Sequence, residues 1–176
     1  AGKDAMDELY NQTRSIYMNN PTKSVHLPRT IAFNVIPQIG SFREDGSTDE
    51  EWKMKMELQK ILSPDIQLAV TCVRVPVFIG HSVAATVEFD SAISAVQARK
   101  KLKGAPGIIV ADDVEETDYI TPIECAGEDP VYVSRVREDT SVPHGLSLWI
   151  VADNVRKGAA LNAIQIAEIL AKEYLD

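Results

Sequence analysis

Two strand-like segments follow each other with only a short Gly-His turn between them, and this arrangement most constrains the fold. Residues 66–80 read IQLAVTCVRVPVFIG, a mostly apolar run in which Arg74 is the charged residue. Residues 82–89 alternate apolar and polar side chains, which is typical of a strand with one buried and one exposed face. Because so short a connection separates them, we expect 70–79 and 82–89 to pair in antiparallel orientation.

The remaining pattern places helices at both ends of the chain and strands between them. We expect helices at 3–17, 49–62, 91–103 and 157–174, and further strands near 30–36, 107–112, 131–137 and 146–152. Thr48 and Glu51 fit a capping box at the start of the second helix. In the third helix, Ile93, Val96 and Leu102 are predicted to face inward. This order predicts an α+β fold: one mixed, largely antiparallel sheet with helices packed on one face.

The last predicted helix, 157–174, is apolar nearly all round, with Asn162, Gln165 and Glu168 as a narrow polar stripe. Such a helix is expected to be buried on most sides. Asn162 and Gln165 fit hydrogen-bonded structural residues. The alternative is that the helix N-terminus at 156–158 faces a phosphate.

Composition excludes several classes of function. The 176 residues are 45% hydrophobic and 25% charged, as in a globular domain with a real core, and the net charge is −8. An acidic balance argues against nucleic acid as a partner, and the basic groups at 99–103 and 156–158 fit solvated surface. No apolar run reaches the roughly 20 residues of a membrane span. The N-terminus has no apolar signal region and no initiating Met, so we expect a processed chain or part of a longer one.

The two cysteines, Cys72 and Cys125, are expected to be free thiols in a reducing compartment. Together with His26, His81 and His144 they are too dispersed along the chain for the ligand spacing of a zinc site. Cys72 lies among valines, so we interpret it as a buried structural thiol and not as a nucleophile.

Arg74 and His81 are the candidates for a functional site. An arginine on a sheet can bind a carboxylate through two parallel hydrogen bonds, whereas the alternative is a surface ion pair. His81 could move a proton, or it could simply occupy a turn. Glu57 and Lys60 share one face of a helix with Lys53, which fits either a salt-bridged surface or contacts to a zwitterionic substrate.

Several longer segments together resemble one known family. They read FNVIPQIGSF at 33–42, EEWKMKMELQKIL at 50–62, TCVRVPVFIGHS at 71–82, YVSRVRED at 132–139 and LWIVADNVRKGAALNAIQIAE at 148–168. In this order they resemble the C-terminal half of bacterial aspartate-β-semialdehyde dehydrogenase. The resemblance runs from end to end of the chain, and it implies a C-terminal domain like that of glyceraldehyde-3-phosphate dehydrogenase.

The resemblance also implies an activity and residue roles. The family uses NADPH to convert β-aspartyl phosphate to aspartate semialdehyde and phosphate, on the route to lysine, threonine, methionine and diaminopimelate. His81 matches the histidine that moves protons, and Arg74 the arginine that holds the substrate carboxylate. Glu57 and Lys60 match the pair that contacts the substrate amino group and phosphate. Asn162 matches a position close to the nicotinamide cofactor.

The family's nucleotide-binding domain, nucleophilic cysteine and a substrate-binding glutamine belong upstream of residue 1, so we expect this chain alone to be inactive. We expect a substrate-binding and dimerisation domain at 1–155 and a helix at 156–176 that packs on the nucleotide-binding domain. The implied assembly is a cytoplasmic homodimer or homotetramer without nucleic-acid or membrane partners. Leu58 departs from the family pattern, in which Thr is expected after the helix Glu.

Two alternatives remain open. The chain could be an interaction module that has lost the chemistry, although retention of Arg74, His81, Glu57 and Lys60 together favours an enzyme. It could also belong to the related N-acetyl-γ-glutamyl-phosphate reductase, whose substrate has no free amino group for Glu57 to bind.

Overall fold

The computed structural model describes residues 2–112 and 118–175, which form two compact units that divide between Phe78 and Ile79. The first unit contains two helices, α1 (Lys3–Tyr17) and α2 (Asp49–Ile61). Its core consists of apolar side chains from α1 and the following loop: Leu9, Leu27, Ile31, Ala32 and Ile36.

Two buried polar side chains of α1 hold this loop in place. The Glu8 carboxylate accepts hydrogen bonds from the His26 N–H at 2.6 Å and from the Gln12 amide at 2.9 Å. The Gln12 carbonyl oxygen in turn accepts from the N–H groups of Ile31 and Ala32. Because the loop has few backbone partners of its own, these side chains satisfy the buried amides that a regular element would otherwise pair.

The strand predicted near 30–36 is wrong, although its apolar residues do form the core. Phe33 adopts a positive φ of 58°, and the Asn34 N–H donates back to the Ile31 carbonyl at 3.0 Å. This is a turn. Burial of Ile31 and Ile36 produced the apolar pattern, which does not by itself distinguish a strand from a buried loop.

The long strand predicted over 66–80 is also wrong. Its ladder pairing with the rest of the first unit is one isolated bridge, between Arg74 and Ile36. Pro76 has no N–H to donate, and the Val77 N–H donates to the Val75 carbonyl at 2.8 Å in a tight turn around the proline. Regular strand begins only at His81.

The second unit is built on a four-stranded mixed sheet with the order β1-β4-β3-β2. The strands are β1 (His81–Glu88), β2 (Ile108–Val110), β3 (Val131–Asp139) and β4 (Gly145–Ala152). β1 and β3 both pair with β4 in antiparallel orientation, and β2 pairs with β3 in parallel. The predicted fold class is therefore confirmed, but β1 pairs with the distant β4 and not with the segment before it.

Helix α3 (Ala95–Lys103) packs on this sheet through two alanines, Ala95 and Ala98, which contact a buried cluster of Val133, Val136 and Leu146. Ile93 and Leu102 pack against the same cluster, as predicted. Val96 is 72% exposed, so its predicted inward position is wrong. Small side chains let the helix approach the sheet closely, and its phase follows the alanines and not the larger valine.

The C-terminal part contains a short helix, α4 (Pro122–Cys125), a π-helical turn (Arg156–Ala160) and α5 (Leu161–Glu173). α5 has no buried residue within the described part of the chain, and its apolar side chains Ile164, Ile166, Ile169 and Leu170 are exposed. The burial expected from its composition is thus not provided by the described residues. Over these residues, no helix is long and apolar enough to cross a membrane.

Candidate functional site

Both backbone polar groups of Arg74, its N–H and its carbonyl, form hydrogen bonds with Ile36, one of the most deeply buried residues of the first unit. The Arg74 N–H donates to the Ile36 carbonyl at 2.9 Å, and the Ile36 N–H donates to the Arg74 carbonyl at 3.0 Å. Arg74 is half-buried and lines a cleft of about 400 Å³ together with His26, Gln38 and Gly40. The core therefore fixes the base of this side chain.

The guanidinium of Arg74 has no carboxylate partner in the described part of the chain. None of the ion pairs over residues 2–112 and 118–175 includes it, so the surface ion pair considered above does not form there. A half-buried cation without a counter-ion stabilises a bound anion, because burial weakens the screening by water. The fork of N–H groups suits a carboxylate or a phosphate.

Glu57 and Lys60 lie on the second half of α2, three residues apart, and both are exposed. Lys53 does not join them, because its ammonium lies 3.7 Å from the Glu50 carboxylate, one turn earlier. Among the described residues, neither Glu57 nor Lys60 takes part in an ion pair. Within the described ranges, the alternative of a salt-bridged surface therefore does not describe this face, on which neither the Glu57 carboxylate nor the Lys60 ammonium has an ion-pair partner.

His81 opens β1 directly after Gly80, whose positive φ of 101° belongs to the left-handed region that favours glycine. The Gly80 N–H donates to the Asn154 side-chain oxygen at 2.8 Å. A side chain at position 80 would place its Cβ 3.2 Å from Cβ of Pro122 and 3.4 Å from Sγ of Cys125. The turn before His81 is therefore specified by space, by backbone geometry and by one side-chain hydrogen bond.

The loop that carries Asn154 is itself fixed by Asp153, which is 4% exposed. One oxygen of this carboxylate accepts from the Gly127 N–H at 2.8 Å, and the other accepts from the N–H groups of Val155 at 2.8 Å and Arg156 at 3.1 Å. These amides, the Gly127 N–H most of all, hold the pKa of Asp153 below its ordinary value. Asp153 thus fixes the loop whose Asn154 side chain bonds to the turn before His81.

Sequence reasoning missed Asn154 and Asp153. The signal was an Asp-Asn pair directly after a predicted strand, a position where short polar side chains often bind loop amides. It could not have identified Gly80 as the partner, because that contact depends on the pairing of β1 with β4, in which His81 lies opposite Ala152.

Asn162 lies at the start of α5 beside the π-helical turn. The Lys157 ammonium donates to the side-chain oxygens of Asn162 at 3.1 Å and Gln165 at 2.7 Å. Both amides are half-buried, as expected for hydrogen-bonded structural residues. Their oxygens are directed to Lys157, which leaves the amide N–H groups as donors, and this polar cluster suits the carboxamide or phosphate of a nucleotide.

Neither cysteine has the environment of a nucleophile. Cys72 and Cys125 are both free and buried. Burial raises the pKa of each thiol, and nearby carboxylates raise it further: Glu51 for Cys72 and Asp153 for Cys125. The prediction of a structural thiol at Cys72 is confirmed. No cluster of three or more His, Cys, Asp or Glu side chains that could hold a metal ion occurs in the described ranges.

Comparisons with known sequences all match this chain to semialdehyde dehydrogenases. The profile of a family described as "Semialdehyde dehydrogenase, dimerisation domain" matches residues 1–157. A protein of Rickettsia bellii named aspartate-semialdehyde dehydrogenase is 48% identical over 175 residues, and one of Aquifex aeolicus with the same name is 48% identical over 177 residues. These alignments cover 99% of this chain and 52% of each relative, so the chain spans about half the length of the curated relatives it matches.

Solved structures agree with the fold. The crystal structure of aspartate semialdehyde dehydrogenase II of Vibrio cholerae complexed with ASA has a TM-score of 0.93 and 46% identity, covering 98% of this chain and 51% of that one. A probable aspartate-semialdehyde dehydrogenase of Pseudomonas aeruginosa has a TM-score of 0.91 and 36% identity, covering 99% and 52%. The predicted C-terminal domain fold is therefore confirmed.

Proposed function

The chain belongs to the semialdehyde dehydrogenase family through its dimerisation domain, and on this premise we propose that it forms the substrate-binding half of an NADP-dependent aspartate-semialdehyde dehydrogenase. The reaction is the reductive dephosphorylation of β-aspartyl phosphate to aspartate semialdehyde. One relative, 46% identical, was crystallised with ASA, which supports the choice of substrate. The proposed context is the biosynthesis of lysine, threonine, methionine and diaminopimelate.

The single observation that carries this proposal is Arg74, a half-buried residue that lines a cleft and whose guanidinium has no carboxylate partner among the described residues. We assign it to the α-carboxylate of the substrate, because its fork can donate two parallel hydrogen bonds to one carboxylate. The bridge to Ile36 supports this assignment, since a fixed backbone reduces the entropy lost when the side chain is immobilised on the substrate.

Glu57 and Lys60 are assigned to the two remaining charges. Glu57 would bind the substrate ammonium, and Lys60 the phosphate. Their exposure and their lack of ion pairs within the described ranges support these roles. A free amino group on the substrate distinguishes this reaction from that of N-acetyl-γ-glutamyl-phosphate reductase, because an N-acetylated substrate offers Glu57 no cation.

His81 is assigned to proton transfer, since an imidazole can accept and donate protons near neutral pH. The support is positional: Gly80, Asn154 and the first residue pair of β1 fix its backbone. Neither Cys72 nor Cys125 is assigned a covalent role, because both thiols are buried with raised pKa values. Two free cysteines fit the reducing cytoplasm that we propose as the compartment.

NADP would supply or accept the hydride, and Asn162 is the residue of this chain proposed to contact it. The donors left on Asn162 and Gln165 by their contacts with Lys157 support this role. The exposed apolar side chains of α5 support the proposal that residues 156–176 pack on a nucleotide-binding domain.

The test measures the reverse reaction in the full-length protein in which this chain occurs. Aspartate semialdehyde, phosphate and NADP should give NADPH only when all three are present. The His81→Asn variant should lower kcat by roughly 10²–10⁴-fold, the usual contribution of a positioned acid–base group. Its KM should change much less.

The control is His144→Asn, which changes a histidine at the positive-φ turn before β4. It should retain most of the activity. Reduction of NADP with N-acetylglutamate semialdehyde but not with aspartate semialdehyde would assign the chain to the sister enzyme. Equal turnover of His81→Asn and His144→Asn would remove the catalytic role from His81.

A further inference from the structure

Glu51 uses its two carboxylate oxygens for two different parts of the first unit. One oxygen accepts from the Thr48 N–H at 2.7 Å, which closes the capping box of α2. The other accepts from the Cys72 N–H at 2.8 Å. The same side chain therefore joins the first turn of α2 to the irregular segment that leads to Arg74.

A helix cap alone does not require this second contact. The capping boxes of α3 and α4 use Gln97 and Glu124, and within the described residues both side chains bond only inside their own box. Among the described capping boxes, Glu51 is the one whose side chain reaches a segment distant in sequence. This extra hydrogen bond needs an explanation beyond helix initiation.

The two joined elements carry the residues assigned to the substrate. α2 continues from Glu51 to Glu57 and Lys60, and Arg74 follows Cys72 by two residues. The segment around Arg74 has no strand ladder to keep it in register, apart from the bridge to Ile36. A rigid helix and a short extended segment therefore meet at the Glu51 carboxylate.

We propose that Glu51 is a positioning residue for substrate binding, because its carboxylate fixes the Arg74 segment relative to the face of α2 that carries Glu57 and Lys60. This inference rests on the proposed function. It assigns Glu51 no contact with substrate, and its effect passes entirely through the three residues it places. Since small misplacements of binding groups can lower catalytic efficiency by about 10²-fold, a link of this kind matters for the reaction.

The ionisation of Glu51 agrees with this role. The Cys72 N–H, followed by the Thr48 N–H, holds the pKa of Glu51 below its ordinary value. The carboxylate therefore stays charged, with both oxygens acting as acceptors, throughout the neutral range.

The Glu51→Gln variant distinguishes the hydrogen bond to Cys72 from the capping hydrogen bond to Thr48. Gln is an accepted residue at this capping-box position, and α3 uses Gln97 there, so α2 should still start at the same place. However, an amide has a single acceptor oxygen, and its NH2 group would face a backbone donor. We expect KM for aspartate semialdehyde and for phosphate to rise about 10- to 100-fold, with KM for NADP unchanged. The amide of Cys72 should also exchange its hydrogen faster.

The matched control is Glu50→Gln, which removes the same charge from the same turn of α2. Glu50 pairs with Lys53 at 3.7 Å, and within the described residues no hydrogen bond joins its side chain to the Arg74 segment, whereas Glu51 accepts from the Cys72 N–H. This variant should match the wild type in all three KM values and in exchange at Cys72. The measurements are steady-state kinetics of the full-length protein, its thermal unfolding midpoint, and hydrogen exchange resolved to Cys72.

The outcomes separate the inference from the proposed function. If Glu51→Gln lowers the unfolding midpoint or speeds exchange at Cys72 while its KM values stay at those of Glu50→Gln, Glu51 is only structural and the inference is overturned. If KM for NADP rises as much as KM for aspartate semialdehyde, the effect is a general loosening, which also overturns it. If the wild-type protein lacks the dehydrogenase activity, the proposed function fails first and the inference falls with it.

Discussion

Arg74 combines three properties that are rarely found together on a surface arginine: a pinned backbone, partial burial and no carboxylate partner within the described residues. Burial of an unpaired charge costs free energy, so such a side chain destabilises the protein that carries it unless an anion binds. At the scale of one residue, the cost of leaving Arg74 without a carboxylate partner among the described residues is the physical reason for which we propose it as a binding residue.

Arg74→Lys tests whether the site needs the guanidinium fork or only its charge. Lysine keeps the charge but cannot donate two parallel hydrogen bonds to one carboxylate. Loss of one charge-assisted bond costs about 1.5–3 kcal/mol, which corresponds to roughly 10- to 150-fold in kcat/KM for aspartate semialdehyde. Steady-state kinetics of the full-length variant measures this loss.

The same assay with an analogue that lacks the α-carboxylate gives the necessary comparison. The loss should shrink with this analogue, because it never engages the fork. The control is Arg29→Lys, at an exposed arginine of the same unit, which should leave kcat/KM unchanged for both aspartate semialdehyde and the analogue. An equal loss on both substrates would mean that Arg74 shapes the cleft and does not bind the substrate.

At this scale, sequence reasoning identified chemistry better than geometry. It predicted the buried thiol of Cys72 correctly, since burial follows from the apolar neighbours. The substrate-binding role that it gave Arg74 stays a prediction. The same reasoning placed Arg74 on a strand continuous with the segment before His81, which is wrong. The cause is Pro76, whose missing N–H lets Val77 turn back onto Val75 and end any extension.

At the scale of elements, the loop after β4 is organised by the Asp153 carboxylate and its three backbone donors. Because the pKa of Asp153 is lowered in the folded protein, this carboxylate contributes stability that is fully present above its unfolded pKa. That stability is lost as pH falls through the folded pKa. The loop should therefore weaken at acid pH and not at alkaline pH.

Asp153→Asn should lower the free energy of unfolding by about 1.5–3 kcal/mol at neutral pH, since an amide cannot accept from all three donors. The difference from wild type should stay constant above the ordinary Asp pKa of about 4. It should narrow as the pH falls below that value and through the lower pKa of the folded Asp153 carboxylate. Urea unfolding at a series of pH values measures this profile.

Asp129→Asn is the control for this prediction. Asp129 is exposed and accepts from the Arg156 guanidinium at 2.6 Å, so its loss should cost less than about 1 kcal/mol. A difference between Asp153→Asn and wild type that does not narrow in acid would show that the variant disturbs packing and not the charged hydrogen bonds.

Elements with local signals were predicted more accurately than elements with long-range partners. α1 was predicted to the residue, and α2 begins where the Thr48 and Glu51 capping box requires. The partner of β1 was wrong, because a neighbouring segment in sequence competes with β4 and only the assembled sheet decides between them. The Glu51–Cys72 contact was unpredictable for the same reason, since a capping motif does not specify where a second oxygen bonds.

At the scale of the whole molecule, many large apolar side chains remain exposed on this 176-residue chain. In the first unit they include four residues of the segment around Arg74: Val73, Val75, Val77 and Phe78. Exposed apolar surface on this scale marks an interaction site. The matching family is described as a dimerisation domain, so we propose that part of this exposed apolar surface contacts a second copy of the chain.

The chain should therefore form a homodimer, or a tetramer built from dimers. Sedimentation equilibrium at micromolar concentration should give a mass about twice the 19.4 kDa of one chain, because symmetric dimers are the most common oligomers. Dilution should lower the average mass toward that of one chain. A single species of 19.4 kDa across the whole concentration series would contradict this prediction.

The two cysteines of this chain are expected to react slowly with thiol-directed reagents, because both thiols are buried and their pKa values are raised. Alkylating reagents and peroxide react with thiolates that solvent can reach, and Cys72 and Cys125 offer neither charge nor access at neutral pH. Any rapid covalent labelling of a native protein that contains this chain would therefore report on cysteines outside these residues. The rate of labelling at Cys72 or Cys125 would instead measure how often the unit that encloses that cysteine unfolds.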